Sequence, residues 1–456
     1  MDATTGTTNR SWVEKSLGPF ADVRGGEAGT ALLLMLDVFL LFTAYYLIKP
    51  VREAFILQGG STEIFGWTVG KAEIKSYASA GMAFLLLFVV PFYGRLASAV
   101  ARQRLISFVT LFFMSNLVVF FLLSQAKVGT GTAIAFFVWV GIFNNLVVAQ
   151  FWSFANDIYL PDQGKRLFPL VGFGASSGAV GGSWIAGQLI KLGVSNMLLI
   201  GGAVLGLTIV LTNVVHRREI ARRAVREAAR AAEAEKPLGR EGGFKLVVGT
   251  RYLLFIALLV LLANIVNTTG EFLLSRKVVE TAGQIVASGT AGGLSEGQFI
   301  GAFFARYYLW VNILTAVLQL FIVSRLLKYF GVRVALMVLP LVALGGYTFL
   351  AFGAALGVVR SVKIFENASD YSIQNTTKHA LFLPTSREAK YKAKAAIDTF
   401  FVRTGDFASA LLVFIGTRLA FTTERFALVN VLLTLGWIGL AIAVVRLHRQ
   451  MTAEAS

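Results

Sequence analysis

Apolar residues fall in blocks long enough, at about 20 residues, for a helix to cross the hydrocarbon of a bilayer. Run length predicts twelve such spans, the first six at roughly 30–58, 76–98, 104–124, 131–157, 167–191 and 196–215. The second six lie at roughly 248–273, 299–324, 331–352, 354–377, 394–417 and 424–446. Short polar turns separate them, except in the middle. There His216 to Lys245 carries Arg217, Arg218, Arg222, Arg223, Arg226 and Arg230 among alanines, then Pro237 and Gly239. This reads as a tether, partly a basic helix lying at the cytoplasmic surface. The expected organisation is an N-terminal segment (1–29), a six-helix bundle (30–215), a basic linker (216–247), a second six-helix bundle (248–446) and a tail (447–456).

Six spans, a linker and six more is an all-α, major-facilitator-like plan of two half-repeats. Two echoes between the halves agree with it. Gly94-Arg95-Leu96 closes span two as Ser324-Arg325-Leu326 closes span eight, and Leu160-Pro161 follows span four as Leu383-Pro384 follows span ten. Basic loops holding Arg95, Arg102 and Arg104, then Lys165 and Arg166, Arg325, Lys328 and Arg333, and Arg387, Lys390 and Lys392 alternate with less basic ones. With the central linker, they set both termini in the cytoplasm.

Composition changes the picture by exclusion. The 456 residues are 56% hydrophobic and 15% charged, which places the chain among multi-pass membrane proteins. The first 29 residues lack a short apolar core followed by a small-residue cleavage site, so no cleaved signal peptide is expected. With no cysteine and only His216, His379 and His448, neither thiolate chemistry nor a metal site is expected, and no cofactor. The net charge of +17 suggests nucleic acid at first sight. Most of the cations sit in loops where they orient the spans, so no nucleic-acid partner is expected.

The informative charges are those inside spans. Lys49, Arg52 and Glu53 fall within the first apolar run, before the Gly59-Gly60 pair that can end the helix, and share a face with Tyr45. Lipid cannot solvate such charges, so they face a bundle interior or a watery path; the alternative is snorkelling to the interface. Span seven repeats the theme with Asn264, Asn267, Thr268 and Glu271, then Arg276 and Lys277. Glu271 and Lys49 both lie about 20 residues into their spans. In two half-repeats they would stand at similar depth on opposite sides of a central cavity. Span ten carries Lys363, Glu366, Asn367, Asp370, Gln374 and Thr377 as a stripe of mixed sign. Span eleven carries Lys394, Asp398, Arg403 and Asp406, and span four Asn144 and Asn145.

Lys49, Arg52, Tyr45, Tyr46, Asn144, Asn145, Glu271, Arg276, Lys277, Lys394 and Arg403 are the candidate substrate-binding residues. Asp37, Glu53, Lys363, Glu366, Asp370, Asp398 and Asp406 are candidates for gating or charge pairing, and Asp37 alternatively for carrying a proton. The small-residue run Gly172-Phe173-Gly174-Ala175-Ser176-Ser177-Gly178, with Gly181-Gly182, reads as close helix packing rather than a phosphate loop.

Four segments resemble the ATP/ADP translocase family, the nucleotide exchangers of plastids and intracellular bacteria. They are Leu47-Ile48-Lys49-Pro50-Val51-Arg52-Glu53 and Ala72-Glu73-Ile74-Lys75-Ser76-Tyr77 in the first half. Phe151-Trp152-Ser153-Phe154-Ala155-Asn156-Asp157 with Lys165-Arg166-Leu167-Phe168-Pro169-Leu170 is the third, and Lys378 to Thr385 with Lys392-Ala393-Lys394-Ala395-Ala396-Ile397-Asp398 the fourth. The resemblance implies twelve spans, nucleotide exchange and no enzymatic activity. It makes Lys49 a phosphate-binding lysine, sets Lys394 in an essential lysine region, and matches Glu271 to a span-seven glutamate. The sequence departs from the family at span four, where Asn144 and Asn145 stand in the neighbourhood of a glutamate, and at Pro50, which replaces a threonine. Those departures bear on the substrate more than on the fold.

The expectation is therefore a monomeric antiporter of nucleotides or a related phosphorylated anion, multi-pass in a bilayer, the cytoplasmic membrane if bacterial. The competing expectations are a proton-coupled facilitator of an unrelated solute and a non-transporting protein such as a lipid scramblase.

Overall fold

The computed structural model describes residues 23–454, apart from 221–242 and positions 25, 65, 101, 127–128, 160, 291, 354 and 387. Most of the N-terminal segment and of the basic linker therefore lies outside the described residues. The described chain is helical but for one two-stranded hairpin, β1 (Thr62–Ile64) and β2 (Trp67–Val69), paired antiparallel with Glu63 opposite Thr68.

The apolar runs become helices α1 (Ala28–Leu57), α2 (Lys71–Ala99), α3 (Arg102–Gln125), α4 (Thr130–Ile158), α5 (Pro161–Leu189) and α6 (Asn196–Ile220). After the short α7 (Gly243–Gly249) come α8 (Arg251–Ala287), α9 (Glu296–Val317), α10 (Ser324–Ala351), α11 (Leu356–Ser369) and α12 (Asn375–Leu381). Helices α13 (Val402–Arg418) and α14 (Thr423–Glu454) complete the chain. Gly59, in the left-handed region at φ 81°, closes the turn that ends α1.

Nine helical stretches among the described residues are long and apolar enough to cross a membrane. The difference from the sequence expectation has a physical origin. Residues 296–351 count as one stretch, continuous through a π turn at Leu318–Val323 and broken where Gly331 takes φ 71°, ψ 178°. Only glycine adopts that conformation without strain, so two expected spans meet there. Helices α5 and α11–α12 occupy the expected positions of spans five and ten. Their glycines and serines, and their buried charges, hold their hydropathy too low to count.

The chain divides into two compact units. One comprises Met1–Arg52, Phe88–Thr132 and Trp139–Glu235. In it α3 packs on α6, and α5 lies backbone to backbone on α1. A Cβ at Gly182 would stand 2.6 Å from the Thr43 carbonyl oxygen, and one at Gly174 or Gly178 would strike the carbonyl of Met35 or Phe39. The small-residue run is thus a packing seam.

The other unit comprises Glu53–Leu87, Ala133–Val138 and Lys236–Ser456. Helix α8 is its spine and packs on α11, α13 and α14; α10 packs on α14, and α9 on α11. At 1.5 Å per residue α8 is about 55 Å long, well beyond a hydrocarbon core of about 30 Å.

Candidate functional site: buried charges in two helical units

In the first unit Lys49 lies in the turn of α1 that contains Pro50, and it is only 7% exposed. Pro50 has no N–H to give the Tyr46 carbonyl, so this turn of the helix lacks one of its own bonds. The Lys49 ammonium lies 5.5 Å from the Tyr45 ring centroid and 5.1 Å from that of Tyr46. Both rings are one turn back on the same helix, where a lysine stem can reach them. Tyr45 leans on Phe143, which stacks on Trp139 at 5.8 Å, so an aromatic wall backs the cation. Arg52, in the next turn, is half-buried. On α4, Asn144 and Asn145 are half-buried, and the Asn145 amide donates to its own helix at Gly141 O (2.8 Å). Asp37, 2% exposed, accepts a hydrogen bond from the Thr212 hydroxyl at 2.8 Å.

In the second unit the buried charges form two linked groups. Glu53 is fully buried, and Lys75 meets its Oε2 at 2.7 Å while also donating to Ser275 Oγ at 2.9 Å. The Tyr308 hydroxyl donates to Glu53 Oε1 at 3.2 Å, and the Phe304 ring lies under the Lys75 ammonium. The second group centres on Lys363, also wholly buried. Its ammonium donates to Asn267 Oδ1 (2.8 Å) and Glu366 Oε2 (3.0 Å) and lies 3.7 Å from Glu271 Oε1. The Asn367 amide (2.8 Å) and Tyr307 hydroxyl (3.2 Å) donate to Glu271, and the Tyr347 hydroxyl donates to Glu366 at 2.8 Å. Such groups are stable in a dry interior only because each charge finds a counter-charge and several donors.

The remaining candidates are spread through the second unit. Arg403 pairs with Asp406 at 3.2 Å, and the Asn264 amide donates to the same carboxylate. Asp398 pairs with Lys378 at 2.9 Å. Lys394 is half-buried between π turns at Ala389–Ala393 and Ile397–Phe401. Arg276 donates to the Phe421 carbonyl, and Lys277 pairs with Glu280 at 3.0 Å. Asp370 opens a π turn, Asp370–Gln374, that breaks the straight polar stripe expected for span ten; such turns are frequent at functional sites.

Sequence reasoning left Lys75 out of the site because it set the start of span two at residue 76. The helix begins at Lys71, which draws Lys75 into the buried layer. Tyr307, Tyr308 and Tyr347 carry no sequence signal beyond aromatic content. Only their hydroxyl partners reveal them.

Long apolar helices enclosing paired charges, with no cluster of metal ligands among the described residues, define a multi-pass membrane protein of major-facilitator-like architecture. Solved structures agree at the level of fold. The nucleoside transporter NupG matches with TM-score 0.63 at 11% identity, over 91% of this chain and 98% of that one. A peptide transporter POT solved in complex with sulfate matches with TM-score 0.62 at 12% identity, over 97% and 99%.

The chain belongs to the TLC ATP/ADP transporter family, whose profile matches residues 128–451. ADP,ATP carrier protein 1 of Chlamydia pneumoniae is 22% identical over 325 residues, 62% of this chain and 60% of that protein. The plastidic ATP/ADP-transporter of Solanum tuberosum is 25% identical over 337 residues, 67% and 52%. The matches thus span between half and two thirds of these relatives' length.

Proposed function

We propose that this protein exchanges nucleotides of the ATP/ADP kind, or a closely related phosphorylated anion, across its membrane by alternating access. Membership of the TLC ATP/ADP transporter family carries the reading. In the proposal twelve spans form a monomeric transport unit with both termini in the cytoplasm, the protein lies in the cytoplasmic membrane if its source is bacterial, and no bond is made or broken. Lys49 is its principal phosphate ligand, with Arg52 as a further cation of the first unit and the rings of Tyr45 and Tyr46 against its ammonium; Arg276, Lys277, Lys394 and Arg403 are the candidate cations of the second unit.

The physical support is the cost of charge in a dry cavity. A polyphosphate enters only where cations and donors replace its water. Release of the anion takes away negative charge that the cations of the cavity were meeting, and closing without it is more expensive. Reloading with another anion removes that cost, which favours exchange over one-way release. Glu271, Glu366 and Asp370 are then the partners that hold cations between cycles.

One observation favours a second reading. Asp37 is buried with the Thr212 hydroxyl as its partner, an arrangement that suits a carboxyl taking up and losing a proton during transport. Reconstituted vesicles separate the two. Exchange requires internal nucleotide and ignores a pH gradient, whereas proton coupling drives uptake into empty vesicles when a gradient is imposed and fails in Asp37→Asn.

A further inference from the structure

The second unit holds a cavity of about 430 Å³ lined by α8, α10, the α11–α12 segment, α13 and α14. That volume is within the usual range for small-molecule sites, roughly 300–1,000 Å³, and far exceeds the room needed by an ion. Its polar lining includes Asn264, Asn267, Glu366, Asp370, Gln374 and Trp437. Gln374 is 5% exposed and its Oε1 has no hydrogen-bond partner among the described residues; Trp437 is 1% exposed and its indole N–H has none either. Buried polar atoms of this kind are normally satisfied, so two at one cavity call for a polar occupant.

The chemistry of the lining narrows the occupant. The Asn264 amide spends its donors on Val402 O and Asp406 Oδ1, which leaves its carbonyl oxygen for a ligand. Asp370, Glu366 and the Gln374 carbonyl are further acceptors. The amide groups of Asn267, whose oxygen is taken by Lys363, and of Asn375 add donors, and of the two carboxylates Glu366 is already met by Lys363, which leaves Asp370. Lys378 also lines the cavity, but its charge is met by Asp398. Among the described residues the lining thus offers a phosphate no cation without a carboxylate partner, and it sets Asp370 against it. A neutral group rich in hydroxyl and amine donors would be held.

We propose that this cavity binds the uncharged end of the transported nucleotide, its base and ribose, with the phosphates excluded from it. The inference rests on the nucleotide reading above. Asp370 accepts from ribose hydroxyls or an exocyclic amine, the Gln374 amide reads the edge of the base, and the Trp437 N–H donates to a ring nitrogen or hydroxyl.

The test measures binding of adenosine, ATP and inorganic pyrophosphate to the full-length protein in detergent. Adenosine should bind without phosphates and compete with ATP. Asp370→Asn and Gln374→Leu should weaken adenosine and ATP about tenfold or more and leave pyrophosphate unchanged. Trp437→Phe, which removes the N–H together with part of the indole ring, should weaken adenosine severalfold. Photolabelling of the wild type with an azidoadenosine should mark the 356–381 peptide, which covers the case of variants that do not fold. Unchanged adenosine affinity in folded variants, a label confined to other peptides, or pyrophosphate binding without adenosine binding would each overturn the subsite and spare the transport reading. No binding of any of the three would overturn both.

Discussion

Replacing Lys363 with methionine removes the cation that the buried Glu366 and the half-buried Glu271 share. The methionine keeps most of the stem volume, so packing changes little and the loss is electrostatic. Lys363 is wholly buried and lies 3.0 Å from Glu366 and 3.7 Å from Glu271. Without it the protein must bury an unmatched charge or keep a carboxyl protonated. Neutralising an ordinary glutamate at pH 7 costs about 4 kcal/mol, in line with the roughly 3–5 kcal/mol seen when one partner of a buried pair is removed. At about 1–2 °C per kcal/mol for a chain of this size, the midpoint of thermal unfolding in detergent should fall by roughly 4–8 °C. At pH 5 the same neutralisation costs only about 1 kcal/mol, so the difference from wild type should shrink to about 1–2 °C. Lys363→Met with Glu366→Gln should recover part of the loss at pH 7. A single variant that unfolds within about 2 °C of wild type at pH 7, unaffected by acid, would refute the reasoning.

The seam between α1 and α5 predicts that Gly178→Val abolishes the monodisperse folded peak in gel filtration, since its side chain would strike the Phe39 carbonyl. Gly172→Ala, with open space around it, should be tolerated. At the start of α1, burial pushes the Glu27 carboxyl up, but the Arg166 guanidinium paired with it at 3.0 Å, the Arg24 N–H and Gln163 together hold it below its ordinary value. A lowered carboxyl stabilises the fold above its ordinary pKa and ceases to do so as pH falls through its folded value. The stability gap between wild type and Glu27→Gln should therefore be constant from pH 7 to about 5 and close below about pH 4.

What the sequence displays and what it hides follow from the physics of the bilayer. Apolar run length marks a helix whatever its neighbours, so the described helices follow the expected runs, with nine stretches long and apolar enough to cross a membrane, and the Gly172–Gly182 seam is visible because small residues at helical spacing have few other uses. The depth of a charge is a different matter. Lys49 and Glu53 are visible as intruders in an apolar run, whereas Lys75 lies only four residues into a helix whose start is masked by a polar lead-in. Partnership is more hidden still. Lys363 and Glu366 are three residues apart and can be paired on paper, but Asn267, from a helix about 100 residues away, cannot be assigned to them from spacing. The π turn at Asp370–Gln374 is invisible to helical periodicity, yet it sets which residues line the cavity of the second unit.

In the proposal a buried cation on α1, Lys49, makes exchange of a nucleotide possible. This is tested most directly by following labelled ATP into proteoliposomes loaded with ADP, carrying wild type, Lys49→Arg or Lys49→Ala. Wild type should exchange only when nucleotide is inside, Lys49→Arg should retain a fraction of that rate, and Lys49→Ala should show none while remaining folded. Full exchange by Lys49→Ala, or uptake by wild type that does not depend on internal nucleotide, would contradict the account.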